Sequence, residues 1–320
     1  MAAPRSALPS AAELERAARI LAVRSRREVS SAFAGGYRSA FRGGGVEFEE
    51  SRPYVPGDDV RHLDWNALAR TGTPYVKRFR EERDQSVVLV LDASRSMAFG
   101  SAGRSKAALA AHAAALVAGA AARAGDRIGL VTFADSVREE LPPERGAPAL
   151  FHRLERLAAA AAAPDGESAL APALAGLERS LRRHAVVVLL SDFRDDTFLP
   201  AAAGAARAPG TAASLALARL ARRHDLVAAV VGDPREEELP AAGTVLLGDP
   251  ERPGPTRRLR TSARARERYR AAAAARRSAL ERTLRATGAD VLWLRTDRDP
   301  LRSLARFFAR RPARARRLPR

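Results

Sequence analysis

Cysteine is absent from the 320 residues, which excludes a disulfide framework, a thiolate metal site and a cysteine nucleophile. Lysine is almost absent, with Lys77 and Lys106 standing alone among a large excess of arginine. Long apolar runs are missing as well. The longest uncharged stretch, Ala107 to Ala122, is short, alanine-dominated and contains His112, so no membrane span is expected. The N-terminus, MAAPRSALPSAAELERAARI, carries charges inside its apolar pattern and lacks the uninterrupted core of a signal peptide. A cytoplasmic location is the expectation. Neither a Walker motif nor Gly-x-Ser-x-Gly occurs. The five histidines, at 62, 112, 152, 184 and 224, show no metal-ligand spacing, and His112, His184 and His224 fall in or at the ends of helices as surface residues.

What is present in excess is positive charge, a formal +18, and its distribution limits what it means. From Arg257 to Arg320 there are 21 arginines against 5 acidic residues, an excess of 16, so the first 256 residues are close to neutral. Without a recognised binding motif beside it, such a run favours a solvated basic helix and tail over a specific nucleic-acid site. Binding to nucleic acid or another anionic surface through this region stays as the alternative reading.

The chain is organised around VVLVLDASRS, Val87 to Ser96. Five apolar residues, Val87 to Leu91, read as a strand buried on both faces. Polarity then switches at once to Asp92, Ser94 and Ser96. Further buried runs follow at Ile128–Phe133, Ala185–Leu190, Leu226–Val231 and Asp290–Leu294, separated by helical stretches at Arg104–Ala124, Ala147–Ala162, from the loop at Ser168 to near His184, Thr211–Arg223, Ser262–Ala286 and Pro300–Arg310. Buried strands alternating with helices predict an α/β fold, a doubly wound, mostly parallel sheet. Thr244–Leu247 reads as a short edge strand or part of a hairpin.

Before the first buried strand, Ala11 to Val29 has the spacing of an amphipathic helix, and Gly35-Gly36 and Gly43-Gly44-Gly45 punctuate a loop-rich stretch. Residues 46–83 combine extended segments at Val46–Tyr54 and Tyr75–Phe79 with a turn at Pro56-Gly57. Asp58 or Asp59 is expected to cap a short helix with Val60, Leu63, Ala67 and Leu68 on its buried face. The charges there are dense enough to form a paired polar network or a partner-docking surface, and the residues favour neither.

Loops that follow parallel strands gather at the carboxyl edge of the sheet. Asp92, Ser94 and Ser96 should therefore meet Ser168 from a second loop and Asp192 from a third. Short carboxylate and hydroxyl oxygens suit a hard divalent cation, Mg²⁺ or Mn²⁺. The simpler alternative is that Ser94 and Ser96 only cap the next helix. A phosphatase of the haloacid dehalogenase type would also start from an aspartate after a buried strand, but needs a second carboxylate two residues on, where Ser94 stands.

Asp92-x-Ser94-x-Ser96, Ser168 in GESALAPAL and Asp192 in LLSDF resemble the metal-ion-dependent adhesion site of von Willebrand factor A domains, most of which carry threonine at the position of Ser168. Upstream, Glu47, Phe48, Arg52, Tyr54, Pro56, Gly57, Asp58, Asp59, Arg61, Asp64, Trp65, Arg70 and Lys77 resemble the signature of the family called domain of unknown function 58, over about residues 35–310. Tyr37 stands where that family often has histidine.

Helical spacing places an N-terminal helix in 1–34, and Pro/Ala/Arg composition makes 312–320 a disordered basic tail; between them the resemblance implies the signature segment at 35–84 and a von Willebrand factor A-like domain over 85–311. It further implies a non-enzymatic, metal-dependent protein-binding module that is an accessory to a MoxR-type AAA+ ATPase in assembling or activating a target. An acidic residue of that target would complete the coordination of the cation.

Overall fold

The computed structural model describes residues 16, 19, 27–41, 46–56, 58–59, 63–81, 85–195, 198, 210–251, 254 and 256–311, with only the backbone described at 32, 46–51 and 77–81. The fold is α/β, a mostly parallel six-stranded sheet with helices on both sides. Its strands are β3 (Ser86–Asp92), β4 (Arg127–Phe133), β5 (Val137–Glu144), β6 (Val186–Ser191), β7 (Asp225–Gly232) and β10 (Asp290–Arg295). They lie in the order β10-β7-β6-β3-β4-β5. All neighbours are parallel except β4 and β5.

The central position of β3 follows from its composition. Val87 to Leu91 are at most 2% exposed, and each such side chain contributes about 1.5–3 kcal/mol on burial. Alternate residues face opposite layers. Val87, Leu89 and Leu91 join one core with the helices α1 (Ser31–Phe41), α3 (Lys106–Ala124), α4 (Ala147–Ala162) and α9 (Pro300–Arg310). Val88 and Val90 join the other with α5 (Leu170–Ser180), α6 (Ala212–Arg223) and α8 (Ala263–Ala286).

Helix α3 is long and apolar enough to cross a membrane by length and composition, but 72% of its most apolar window is buried inside the protein. Its alanines let it lie close against the sheet. Ser105 caps its N-terminus by accepting from the Ala108 N–H, and Gly125 ends it in the left-handed conformation at φ 81°.

Two local expectations are corrected and one strand is added. Gly35-Gly36 lie within helix α1, not a loop, because Phe33, Tyr37 and Phe41 recur at helical spacing and pack on Phe308. The Tyr37 hydroxyl donates to Asp126 Oδ2 at 2.9 Å from a buried position. Edge strand β5 joins the expected strands, and its Pro142-Pro143 are tolerated because proline is accepted at a sheet edge. Gly129 of β4 admits it: a Cβ there would stand 3.1 Å from the Leu141 carbonyl oxygen. Lastly, His224 is buried rather than on the surface, against His184 at 6.4 Å between ring centroids. No hydrogen-bond partner for its ring nitrogens exists among the described residues. Burial, then the neighbouring charges of His184 and Arg223, lower its pKa to about 4. His112 lies 3.0 Å from Glu28.

Outside the main sheet, β1 (Val46–Pro53) and β2 (Tyr75–Glu81) form a two-stranded sheet of their own, flanking α2 (Trp65–Thr71), and Val76 of β2 also bridges Leu63. A second small hairpin pairs β8 (Thr244–Leu247) with β9 (Arg257–Arg260). Most of the expected helix at 11–29, the glycines at 43–45 and the tail at 312–320 lie outside the described residues, although Arg16, Arg19, Arg27 and Glu28 are helical.

Candidate metal centre

Register brings the first two loops of the candidate site together. Leu91 of β3 pairs with Leu190 of β6, so Asp92 and Ser191 emerge side by side, and the Ser191 hydroxyl donates to Asp92 Oδ2 at 2.6 Å. The loop before α5 is stitched to the loop after β3 by two backbone bonds of 2.9 Å, Arg95 N–H to the Gly166 carbonyl and Asp165 N–H to the Ala93 carbonyl. Gly166 takes φ +77°, where a side chain would be strained and a Cβ would stand 3.0 Å from Arg138 Nη2. The Ser168 hydroxyl thereby donates to Asp92 Oδ2 at 3.0 Å.

Ser94 flanks a short 3-10 helix, Arg95–Ala98, but makes no side-chain cap. Its hydroxyl instead lies 3.2 Å from that of Ser96, while its N–H donates to Asp92 Oδ1 at 2.9 Å. Asp92, Ser94, Ser96 and Asp192 are all buried, and Ser168 is half-buried.

Phe193, next to Asp192, has φ 52°, a conformation uncommon for an aromatic residue. The Ser191 hydroxyl holds it by accepting from the Phe193 N–H at 2.9 Å, and its ring packs on Phe198.

Three further residues belong to the site and were missed by sequence reasoning. Lys106 opens α3 with its side chain fully buried, at the helix end where a cation is least favoured. It is held by Asp192 Oδ2 at 2.5 Å and by Oε1 of Glu236, on the short helix α7 (Pro234–Glu237), at 2.7 Å, and Arg194 reaches the same Glu236 oxygen at 3.2 Å. Glu251, between β8 and β9, accepts from the N–H groups of Ser96 at 3.1 Å and Ser168 at 2.9 Å. The signal for Lys106 was its rarity: in a chain that otherwise uses arginine, a lysine marks a place for a compact, fully buried charge. Glu236 and Glu251 carried no local signal.

The two aspartates are driven apart. Burial, then the charge of Asp192, push the Asp92 carboxyl up to about 6, against the hydrogen bonds from Ser191 and Ser94. Burial also opposes the charge on Asp192 and is the largest single influence there. Lys106 and Arg194, with hydrogen bonds from Lys106 and Ser96, outweigh it and hold Asp192 below the ordinary carboxylate value. Lys106 is raised despite its burial, by Asp192 and Glu236.

Among the described residues no three His, Cys, Asp or Glu side chains gather as a metal cluster; the oxygens that converge here come mostly from hydroxyls. Their spacing nonetheless suits a small hard cation. Metal–oxygen distances near 2.1 Å place adjacent octahedral ligands about 3 Å apart, and the Ser94–Ser96 and Ser168–Asp92 oxygens are 3.2 and 3.0 Å apart.

The described signature residues lie elsewhere. Arg52 pairs with Asp58 at 2.6 Å, and Asp58 also accepts from the Val55 N–H. The cap of the short helix is Asp64 rather than Asp58 or Asp59, accepting from Asn66 and Ala67 N–H at 3.1 Å. A helix starting one residue later, at Trp65, leaves Leu63, Ala67 and Leu68 half-buried and Trp65 68% exposed. The Arg70 Nε donates to the Asn66 carbonyl. Tyr54 and Pro56 sit at the turn after β1, and Asp59 is described beyond it. The side chains of Glu47, Phe48 and Lys77, and all of Gly57, Val60 and Arg61, fall outside the described residues.

On the basic helix α8, Arg270, Arg277 and Arg285 are each ion-paired to glutamates, and Arg277 stacks over Trp293 at 3.9 Å. Part of its charge is thus neutralised within the fold.

A family model described as "Protein of unknown function DUF58" matches residues 50–279. An uncharacterized protein of Mycobacterium tuberculosis (strain H37Rv) is 34% identical over 302 residues, 93% of this chain and 90% of that one. An uncharacterized protein of Mycobacterium avium is 38% identical over 142 residues, 44% of this chain and 75% of that one. Among solved structures, the conserved hypothetical protein BatB from Bacteroides thetaiotaomicron aligns with a TM-score of 0.41 at 17% identity, over 70% of this chain and 97% of that one. An aerotolerance-related membrane protein from Bacteroides fragilis aligns with a TM-score of 0.39 at 18% identity, over 71% and 98%.

Proposed function

The chain belongs to the DUF58 family of proteins of unknown function, and from that footing we propose that it is a von Willebrand factor A-like, metal-dependent protein-binding module. The observation that carries this reading is the meeting of Asp92, Ser94, Ser96, Ser168 and Asp192 from three loops at one edge of the sheet, with the Ser168 hydroxyl 3.0 Å from Asp92, the Ser94 and Ser96 hydroxyls 3.2 Å apart, and the Ser96 side chain hydrogen-bonded to Asp192. These five residues would hold Mg²⁺ or Mn²⁺, and the cation would supply an open position for a hard anionic oxygen.

The protein's own residues set the charge of that position. Lys106 neutralises Asp192, so Asp92 is the one unpaired carboxylate among the five, and a divalent cation beside it retains net positive charge. An aspartate or glutamate of a partner satisfies both the charge and the vacant position. We assign the partner as a target protein handled together with a MoxR-type AAA+ ATPase. No residue here is given a catalytic role: the phosphohydrolase reading lacks the second carboxylate at Ser94, and an aryl phosphate assay should give no turnover.

The test is co-purification with the MoxR-type ATPase and its target in Mg²⁺ or in EDTA, comparing wild type with Asp92→Ala. Retention in Mg²⁺ that is lost in EDTA and in the variant is expected. Equal retention in all three conditions would sink the proposal.

A further inference from the structure

The β8–β9 hairpin forms no part of the main sheet, and its strands are mostly exposed, Leu246 at 63%. It is tied at its base by the Thr261 N–H to the Gly243 carbonyl and the Ala242 N–H to the Thr261 hydroxyl. Apolar burial of this size does little to fix where its far end lies.

That end nevertheless lands on the candidate site. Glu251 spans two of the three loops, one carboxylate oxygen on the Ser96 N–H and the other on the Ser168 N–H. These are the backbones of two residues whose hydroxyls belong to the oxygen cluster. Arg95, inside the Asp-x-Ser-x-Ser run, donates to the Glu251 carbonyl at 3.1 Å and binds Asp165 with its other guanidinium nitrogens. Asp249 accepts from the Glu251 N–H at 2.9 Å and so shapes the bend. The molecule thus already presents a carboxylate, on a mostly exposed tether, against the backbone of two of the loops that would hold the cation.

We propose that the β8–β9 hairpin is a tethered internal ligand, and that an aspartate or glutamate side chain of a protein partner docks by displacing Glu251 from the Ser96 and Ser168 N–H groups. This rests on the metal-dependent reading of the same site and adds its regulation. A tethered competitor acts at an effective concentration in the millimolar range. Apparent affinity for an outside carboxylate then falls in proportion to the fraction of time the site is open. A weak or isolated acidic side chain is rejected, and a partner that also engages neighbouring surface is accepted.

The experiment uses the full chain, Mn²⁺ as the cation and sodium acetate as the carboxylate, with chloride matched for ionic strength. Water-proton relaxation reports both Mn²⁺ binding and the loss of Mn²⁺-bound water as acetate enters. In Glu251→Ala the acetate concentration for half-saturation should fall about tenfold relative to wild type, as expected if the open state is about a tenth of the population. Glu251→Gln, which keeps the size of the side chain, should show the same direction and guards against misfolding of the alanine variant. Mn²⁺ retained through Asp92 but with one acetate curve for wild type and both variants would overturn the internal ligand while leaving the metal site standing. Mn²⁺ held equally, or not at all, by wild type and Asp92→Ala would overturn the metal site and the internal ligand with it.

Discussion

Asp92 and Asp233 occupy equivalent places, at the carboxyl ends of β3 and just after β7, and both are fully buried. Their surroundings are opposite. Asp233 accepts from the Ser101 N–H and hydroxyl, the Thr296 hydroxyl and the Arg235 N–H, all within 2.5–2.8 Å. Burial pushes its carboxyl up most strongly, but these donors outweigh it and hold the group below the usual carboxylate value. Asp92 has comparable donors, yet faces a second carboxylate and is pushed up. One aspartate is a finished structural hub that ties the loop after β3 to the end of β10. The other stores unfavourable charge at the place where several hydroxyls converge. Burial alone therefore does not distinguish the two along the sheet edge; the direction in which each carboxyl is shifted does.

The largest effect should come from Lys106, which holds Asp192 and Glu236. Lys106→Ala strands Asp192 and Glu236 without their counter-charge, and should destabilise the fold by about 3–5 kcal/mol. Urea unfolding measures it, and a loss under 1 kcal/mol would mean that Lys106 does not hold this edge.

Next comes the contrast itself. Asp233→Ala leaves several buried donors without an acceptor and should cost about 2–4 kcal/mol, with Mn²⁺ affinity kept; Asp92→Ala should lose Mn²⁺ with a far smaller cost. If the two variants exchange these outcomes, the assignment of hub and site is reversed.

The smallest effect is in pH dependence, measured as unfolding free energy without divalent cation. The Asp92 pKa is raised on folding, so its contribution is favourable at low pH and is lost as pH rises through about 4 to 6. The His224 pKa is lowered on folding, to about 4, so its contribution is favourable above about 6.5 and is lost as pH falls through that window. The two slopes oppose one another over the same range. Asp92→Asn should expose the acid loss due to His224, and His224→Leu should expose the acid gain due to Asp92, each by about 1–3 kcal/mol. Parallel profiles for wild type and both variants would show that neither group is perturbed.

The parts of the fold legible in the sequence were those whose burial is total. Val87–Leu91, Ile128–Phe133, Ala185–Leu190 and Leu226–Val231 read as strands because a residue buried on both sheet faces has no polar alternative. Strand β5 was hidden because its edge position admits Pro142-Pro143 and alternates half-buried with exposed residues. Helix α1 was hidden by Gly35-Gly36, whose low propensity is overridden by three aromatic rings packing on Phe308. The hydroxyls and carboxylates close to β3, α5 and β6 were legible because strand-end loops gather by topology. Glu236 and Glu251 were not, since the partners that bring them to the site, Lys106 and Ser96, lie 130 and 155 residues away along the chain.

Strand β5 also bears on how another molecule can approach. It closes one flank of the sheet, and its Pro142 and Pro143 offer no amide hydrogen to an incoming strand. Lengthening the sheet by a neighbour's backbone is therefore blocked over that stretch. A neighbour meeting that stretch would find side chains there and, at Pro142 and Pro143, no free amide hydrogens to pair with.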